Sequence, residues 1–252
     1  MKRQIQLSIA SLLASTAVFS AFTGSASASA LDLVPQEQGE INVGLGCLED
    51  CIELGSLFDS IVSLTDETTG SRSRLFVDYF GEGDVEQTFG TGDSKVRLKT
   101  RDAGTNSDGF WFRPSEYNES DGSTEEQGQL EVGTYLFNFA QEMAEMTFYF
   151  FDTESKNSTG VLSINGEAVA EPEYVKKGPD GNIVAQTFTN IKSATVKFGF
   201  DRETGTGDGV DFRITGTPVE PASVPEPATL LGLFAIAGAG LGLKRKASQT
   251  IG

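Results

Sequence analysis

The chain has 252 residues with 36 acidic and 19 basic side chains, no histidine and a formal net charge of −17. The absence of histidine excludes Ser-His-Asp and Cys-His nucleophile systems, as well as zinc, copper or non-haem iron sites that depend on imidazole. The negative charge excludes nucleic acid as a favourable partner, because phosphate would be repelled.

The N-terminal segment has the layout of a secretory signal peptide. Lys2 and Arg3 supply positive charge, residues 5–22 are apolar, and Ala28-Ser29-Ala30 resembles an A-x-A cleavage site. A retained membrane anchor is the alternative, but the run of small residues favours cleavage. We therefore predict that residues 1–30 are a signal peptide and that the rest of the chain is exported.

Cys47 and Cys51 are the only cysteines of the chain. In an oxidising compartment a local disulfide is the default expectation. A spacing of four residues would bring the two Cα atoms to about 6 Å on a helical turn, which is within disulfide range. Half of a metal site is the alternative, and the lack of histidine and further cysteine disfavours it. We predict a disulfide, whose small loop adds little closure entropy.

Residues 31–215 carry the pattern of an all-β domain, with short apolar runs divided by glycine-rich turns. One exception is Leu57 to Thr65, whose apolar spacing behind Ser56 predicts a short helix, with a strand as the alternative. The segments predicted as strands are 40–45, 73–80, 95–100, 110–112, 130–140, 146–151, 160–165, 183–188, 193–200 and 210–215.

Turn signals connect these segments. Asn165-Gly166 predicts a two-residue hairpin turn, Pro114 is expected to end its strand, and residues 140–145 are expected to form a hairpin-like link. Because no alternation of strands and helices supports a parallel sheet, we predict an exported antiparallel β-sandwich or jelly-roll-like domain.

Trp111 is the single tryptophan and lies between two phenylalanines, two residues before Arg113. Carbohydrate binding needs an exposed aromatic ring beside polar groups, and one face of such a strand would be wet or capped by a loop. A tryptophan in the core is the alternative and the more frequent case. We predict Trp111 and Arg113 as the candidate glycan contacts.

The acidic loops offer two further chemistries. Asp201, Glu203, Asp208 and Asp211 cluster among glycines, and calcium takes many oxygen ligands, although the EF-hand pattern is not met and a solvated turn is the alternative. A calcium-dependent adhesion module is therefore an alternative function, with calcium as the one cofactor considered. A carboxylate-based glycoside hydrolase would need two acids about 5 to 9.5 Å apart, and no spacing singles out such a pair. We therefore predict that the protein is not an enzyme.

The C-terminal segment has three parts in a fixed order. Residues 216–224 form a linker, Pro225 and Pro227 keep the chain extended, and residues 228–243 carry no charge before Lys244-Arg245-Lys246. A helix over 16 residues rises about 24 Å, and snorkelling lysine can complete a span of about 30 Å. A buried core helix is the alternative. We predict one transmembrane helix within 225–246, with the basic tail in the cytoplasm.

Val224-Pro225-Glu226-Pro227, the apolar run and the basic cluster together resemble the PEP-CTERM sorting signal. The resemblance implies recognition by an exosortase, a membrane cysteine protease that cuts near the Pro-Glu-Pro motif. It also implies transient membrane anchoring, a final place at the cell surface or outside the cell, and a bacterium that makes exopolysaccharide.

A second resemblance lies within the exported domain. Leu130-Glu131-Val132-Gly133, Phe151-Asp152-Thr153-Glu154 and Gly207-Asp208-Gly209-Val210-Asp211-Phe212 are similar to a group of PEP-CTERM proteins named for the Leu-Glu-Val-Gly signature. The similarity spans most of residues 40–215 and implies no activity. We therefore expect a sorted envelope or matrix protein with a structural or carbohydrate-binding role associated with exopolysaccharide.

Overall fold

The computed structural model describes residues 29–81, 87–92, 95–98, 109–117, 132–170, 173–200 and 210–219. Within these ranges the secondary structure is all β, and none of the described residues belongs to a helix long and apolar enough to cross a membrane. The strands are β1 (Leu31–Asp32), β2 (Gly39–Ile41), β3 (Phe58–Leu64), β4 (Arg72–Phe80), β5 (Gln87–Phe89), β6 (Val96–Leu98), β7 (Gly109–Tyr117), β8 (Gly133–Phe151), β9 (Gly160–Ile164), β10 (Glu167–Ala168), β11 (Ile183–Phe198) and β12 (Asp211–Pro218).

The long strands β8 and β11 pair with each other and organise the fold. Tyr135, Phe137 and Phe139 in the first half of β8 are fully buried, because a period of two places alternate side chains on one face. The main sheet runs in the order β10-β9-β11-β8-β12-β7-β4-β2, with β1 added to β12 and β3 added to β8. Strands β5 and β6 form a separate pair, and every pairing between these strands is antiparallel.

Strand β8 bends until its two halves face each other. Phe137 and Phe148 would lie roughly 36 Å apart in a straight strand that rises about 3.3 Å per residue. Their ring centroids are 6.1 Å apart. The bend lies at residues 140–142, which are exposed, and there the pairing with β11 slips between Ile191 and Ser193. Because one strand contributes to both layers, the single sheet closes into a sandwich.

The two layers enclose a core made largely of phenylalanine. The first half of β8 lies between β3 and the end of β11, whereas its second half lies between β12 and the start of β11. Phe212 of β12 contacts Phe198 of β11 at 3.8 Å between centroids and Phe137 of β8 at 5.8 Å. Burying each such ring contributes about 1.5–3 kcal/mol, so the aromatic core holds the layers together. The predicted antiparallel sandwich is confirmed.

The helix predicted over Leu57 to Thr65 is wrong, and the segment is strand β3. Its residues pair with the first half of β8, with Ile61 opposite Phe137 and Val62 opposite Leu136. The helical spacing was a local signal, but β-branched residues pack well on a pleated surface. The unpaired edge of β8 therefore determined the conformation of this segment.

Three smaller expectations also need correction. Residues 140–145 do not form a hairpin link, because the two strands predicted around them are one bent strand. Pro114 does not end its strand, since β7 continues to Tyr117 and Pro114 lies opposite Leu75. Strand β12 extends to Pro218, so regular structure continues into the segment predicted as a linker.

The predicted turn at Asn165-Gly166 is confirmed. Both residues have positive φ, 52° and 81°, as a type I′ turn requires. The turn joins β9 to the short edge strand β10, with Glu167 opposite Ile164.

Candidate functional site

The predicted glycan contact at Trp111 is wrong, because the side chain is in the core. Strand β7 places Trp111 opposite Asp78 of β4. The tryptophan is only 2 % exposed and packs with Phe80, Phe151 and Tyr149, meeting the Phe151 ring edge-on at 6.2 Å. A ring enclosed on this scale offers no open face for a sugar to stack on. The core alternative is the one that the structure adopts.

Arg113 is also fully buried and lies at the centre of an ion cluster. Its Nη1 donates to Asp78 Oδ2 at 2.8 Å, its Nε lies 3.3 Å from Asp211 Oδ1, and its guanidinium lies over the Phe80 ring at 5.6 Å. Gln38 donates a further hydrogen bond to Asp78 at 3.0 Å. Because a buried charge must be paired, this cluster has a structural role and does not present Arg113 to a ligand.

Of the four acids predicted as calcium ligands, the structure describes only Asp211. Asp211 is 5 % exposed and pairs with Arg113, so it serves the ion cluster. Asp201, Glu203 and Asp208 lie outside the described residues.

The predicted disulfide between Cys47 and Cys51 has its Cα atoms 5.6 Å apart, although the segment is not helical. It lies beside a second buried pair, in which Arg74 Nη1 donates to Glu40 Oε1 at 2.6 Å. The backbone N–H of Leu48, inside the disulfide loop, donates to the other Glu40 oxygen at 2.6 Å. Burial raises the pKa of Glu40 above its ordinary value, and these two hydrogen bonds oppose the rise. The loop is thus tied to the sandwich through one carboxylate.

Asp152, Glu154 and Asp180 form an acidic cluster that sequence reasoning missed. One carboxylate oxygen from each lies within 4.8 Å of the others, close enough to hold a cation. Asp152 has a φ of 60° and accepts a hydrogen bond from the Gly181 N–H at 2.7 Å. The residues come from two loops that meet in space. A strand end followed by two acids, and a Pro-Asp-Gly turn, were the signals in the sequence.

A groove beside that cluster carries opposite charge. It has a volume of about 580 Å³ and is lined by Lys156, Tyr174, Lys176, Lys177 and Val184, among others. We call it the lysine groove. Burial and the nearby charges of Glu173, Glu67 and Asp66 raise the pKa of Tyr174, so its hydroxyl is a hydrogen-bond donor at neutral pH. No pattern along the sequence marked this groove, because Lys156 and the adjacent pair Lys176-Lys177 come from separate segments.

The C-terminal residues predicted to form the sorting signal lie outside the described residues, but their sequence matches a known protein family. Residues 223–246 match the PEP-CTERM protein-sorting motif. No curated protein and no solved structure matches the chain. The motif marks proteins that are exported and sorted to the cell surface via the membrane, and it implies exosortase-dependent processing. The chain is therefore an exported, exosortase-sorted surface protein with an all-β domain.

The match includes Val224-Pro225-Glu226-Pro227 and Lys244-Arg245-Lys246. The signal peptide and the transmembrane helix themselves remain predictions.

Proposed function

We propose that this protein is a non-catalytic component of the surface matrix, with a structural or carbohydrate-binding role associated with exopolysaccharide. The observation that supports it best is the sorting motif at residues 223–246, which marks the chain for export to the cell surface. The resemblance to PEP-CTERM proteins adds the expected association with exopolysaccharide. The domain also has a surface groove with polar and apolar walls, which is the kind of concave site in which ligands bind.

The absence of catalysis is part of the proposal. The chain has no histidine. Among the buried described carboxylates, Asp66 is the most enclosed and accepts hydrogen bonds from Thr68 and Thr134. The other three, Glu40, Asp78 and Asp211, are each paired with an arginine. Such pairing uses the charge for stability and leaves none of these three as a proton donor or nucleophile in a cleft. Incubation of the purified protein with exopolysaccharide should therefore release no reducing ends, and release above a heat-inactivated control would contradict it.

The association with polysaccharide is tested by fractionation of producing cells. The protein should be extracted together with cell-associated exopolysaccharide and should move to the soluble fraction when that polymer is absent. A control surface protein that lacks the sorting motif should not change fraction. If this protein distributes identically with and without exopolysaccharide, the proposed role fails.

A calcium-dependent adhesion module is a second candidate, and the cluster of Asp152, Glu154 and Asp180 favours it. Hard cations bind oxygen ligands from flexible loops. Protein stripped with EDTA should release or absorb heat on calcium addition, and Asp180→Asn should weaken that signal. Absence of any heat in the unaltered protein would remove this candidate.

A further inference from the structure

The lysine groove has three cations on a domain that is otherwise strongly acidic. Residues 31–225 contain 14 basic and 35 acidic side chains, a net charge of −21. Lys156, Lys176 and Lys177 nevertheless line one groove, and all three are exposed. None of them has an ion-pair or hydrogen-bond partner among the described residues. Three neighbouring unpaired cations on such a domain are available to an anion from outside.

The backbone that carries these lysines is held in place. Val175, which is 8 % exposed, lies between Tyr174 and Lys176, and its N–H donates to Thr159 O at 2.9 Å. The Gly178 N–H donates to Thr153 O at 2.9 Å. Both ends of the segment are therefore fixed against the loop that contains Lys156.

Gly160 shows how closely the two segments approach each other. A Cβ atom at this position would lie 2.1 Å from the Glu173 carbonyl oxygen, which no side chain could tolerate. Gln186, another lining residue, accepts a hydrogen bond from the Val161 N–H at 2.9 Å. The backbone of the groove is therefore already ordered before binding, so little binding free energy would be spent on ordering it.

The walls of the groove fit a sugar polymer better than a small anion. Tyr174 supplies an aromatic ring and a hydroxyl donor, and Val184 supplies apolar surface against which the C–H face of a sugar ring can lie. The lysines supply charge for carboxylates. The charges of Glu173, Glu67 and Asp66 act on Tyr174, and the acidic cluster of Asp152, Glu154 and Asp180 comes from the neighbouring loops. These acids would repel an anion, which restricts its charged groups to the lysine side.

We propose that the lysine groove binds an acidic polysaccharide whose sugar units carry carboxylates. This inference rests on the proposed carbohydrate-binding role and adds to it the chemical class of the sugar and the residues that select it. The contacts are exposed, so each lysine contributes modestly and added salt weakens binding.

The test uses the full-length chain in detergent and two polymers, polygalacturonate as the acidic probe and dextran as the neutral one. Lys176→Gln/Lys177→Gln is compared with Lys95→Gln/Lys192→Gln, a control that removes two exposed lysines outside the groove. We expect the groove variant to bind polygalacturonate about five-fold more weakly, and the control variant to bind it unchanged. The groove variant should retain the unfolding temperature of the unaltered protein, because its replaced side chains are exposed. The control variant also loses the hydrogen bond from Lys192 to Phe139 O and the exposed pair with Asp59, so its unfolding temperature should fall by at most a few degrees.

The outcomes separate this inference from the proposed role. Equal binding of polygalacturonate by both variants would overturn the groove as the site, while carbohydrate binding would stand. Binding of dextran alone would overturn the preference for acidic sugars and would also leave the broader role intact. Failure of both polymers to bind would count against carbohydrate binding itself, and therefore against both.

Discussion

Replacement of Arg113 by methionine provides a direct test of the buried ion cluster. Arg113 is 0 % exposed, and its removal leaves Asp78 and Asp211 buried without the cation that both contact. Breaking a buried pair by removing one partner costs about 3–5 kcal/mol. Against a total stability of roughly 5–15 kcal/mol, that loss would leave the domain marginal.

The chain contains its own probe for this experiment. Trp111 is the single tryptophan and lies in the same region of the sandwich, so its fluorescence reports unfolding of the affected core. At about 2–4 °C per kcal/mol for a domain of this size, we expect the unfolding temperature of Arg113→Met to fall by roughly 6–20 °C. Urea titration of the same signal gives the free energy of unfolding.

Arg213→Met is the matched control. Arg213 Nη2 lies 2.5 Å from Asp32 Oδ2, but the two side chains are 27 % and 25 % exposed. Solvent screens this pair, and its loss should cost about 1 kcal/mol or less. Adding Asp78→Asn and Asp211→Asn to Arg113→Met should recover part of the stability, because the uncompensated charges are then gone. A loss for Arg113→Met no larger than for Arg213→Met would refute the reasoning.

Four further results are expected. The intact mass of the processed protein should show a chain that lacks the predicted signal peptide and ends near Glu226. Denatured, unreduced protein should show no titratable thiol, because Cys47 and Cys51 are bonded; replacing both with serine should cost about 2 kcal/mol for so small a loop. Burial raises the pKa of Glu40 above 4.5 in the folded state. Glu40 therefore contributes stability below its unfolded pKa, and this contribution is lost as pH rises through the raised folded pKa. Glu40→Gln should flatten this part of the pH–stability profile. Trp111→Ala should lower the free energy of unfolding by about 3–5 kcal/mol and should weaken any ligand binding only in proportion to the unfolded fraction.

Each of these has a contrary outcome. An unprocessed mass from surface material would contradict sorting, and two free thiols per chain would rule out the disulfide. An unchanged pH profile in Glu40→Gln would show that its ionisation is not linked to folding. If a stably folded Trp111→Ala variant selectively lost glycan binding, Trp111 would be a glycan contact after all, contrary to its burial in the core.

Local chemistry in the sequence was enough to predict most strands and their turns. Asn165-Gly166 adopts the positive φ angles that its residue types favour, and the alternation from Tyr135 to Phe139 gives one buried face. The two cysteines, four residues apart, form the predicted disulfide. The sorting motif is likewise a linear signal, since a protease reads it along the chain. Such features depend on neighbours in sequence, and neighbours in sequence are visible without a fold.

Only the tertiary structure decided the features that depend on distant partners. The segment of Ile61 and Val62 became a strand because an edge of β8 was free to pair with it. Trp111 is a core residue because Phe80 and Phe151 cover it. Its neighbours in the sequence would fit a buried ring and an exposed ring equally well. The lysine groove exists because the loop of Lys156 meets the segment of Lys176. Burial and charge proximity are properties of the packed chain, so these residues had no signature before the layers closed.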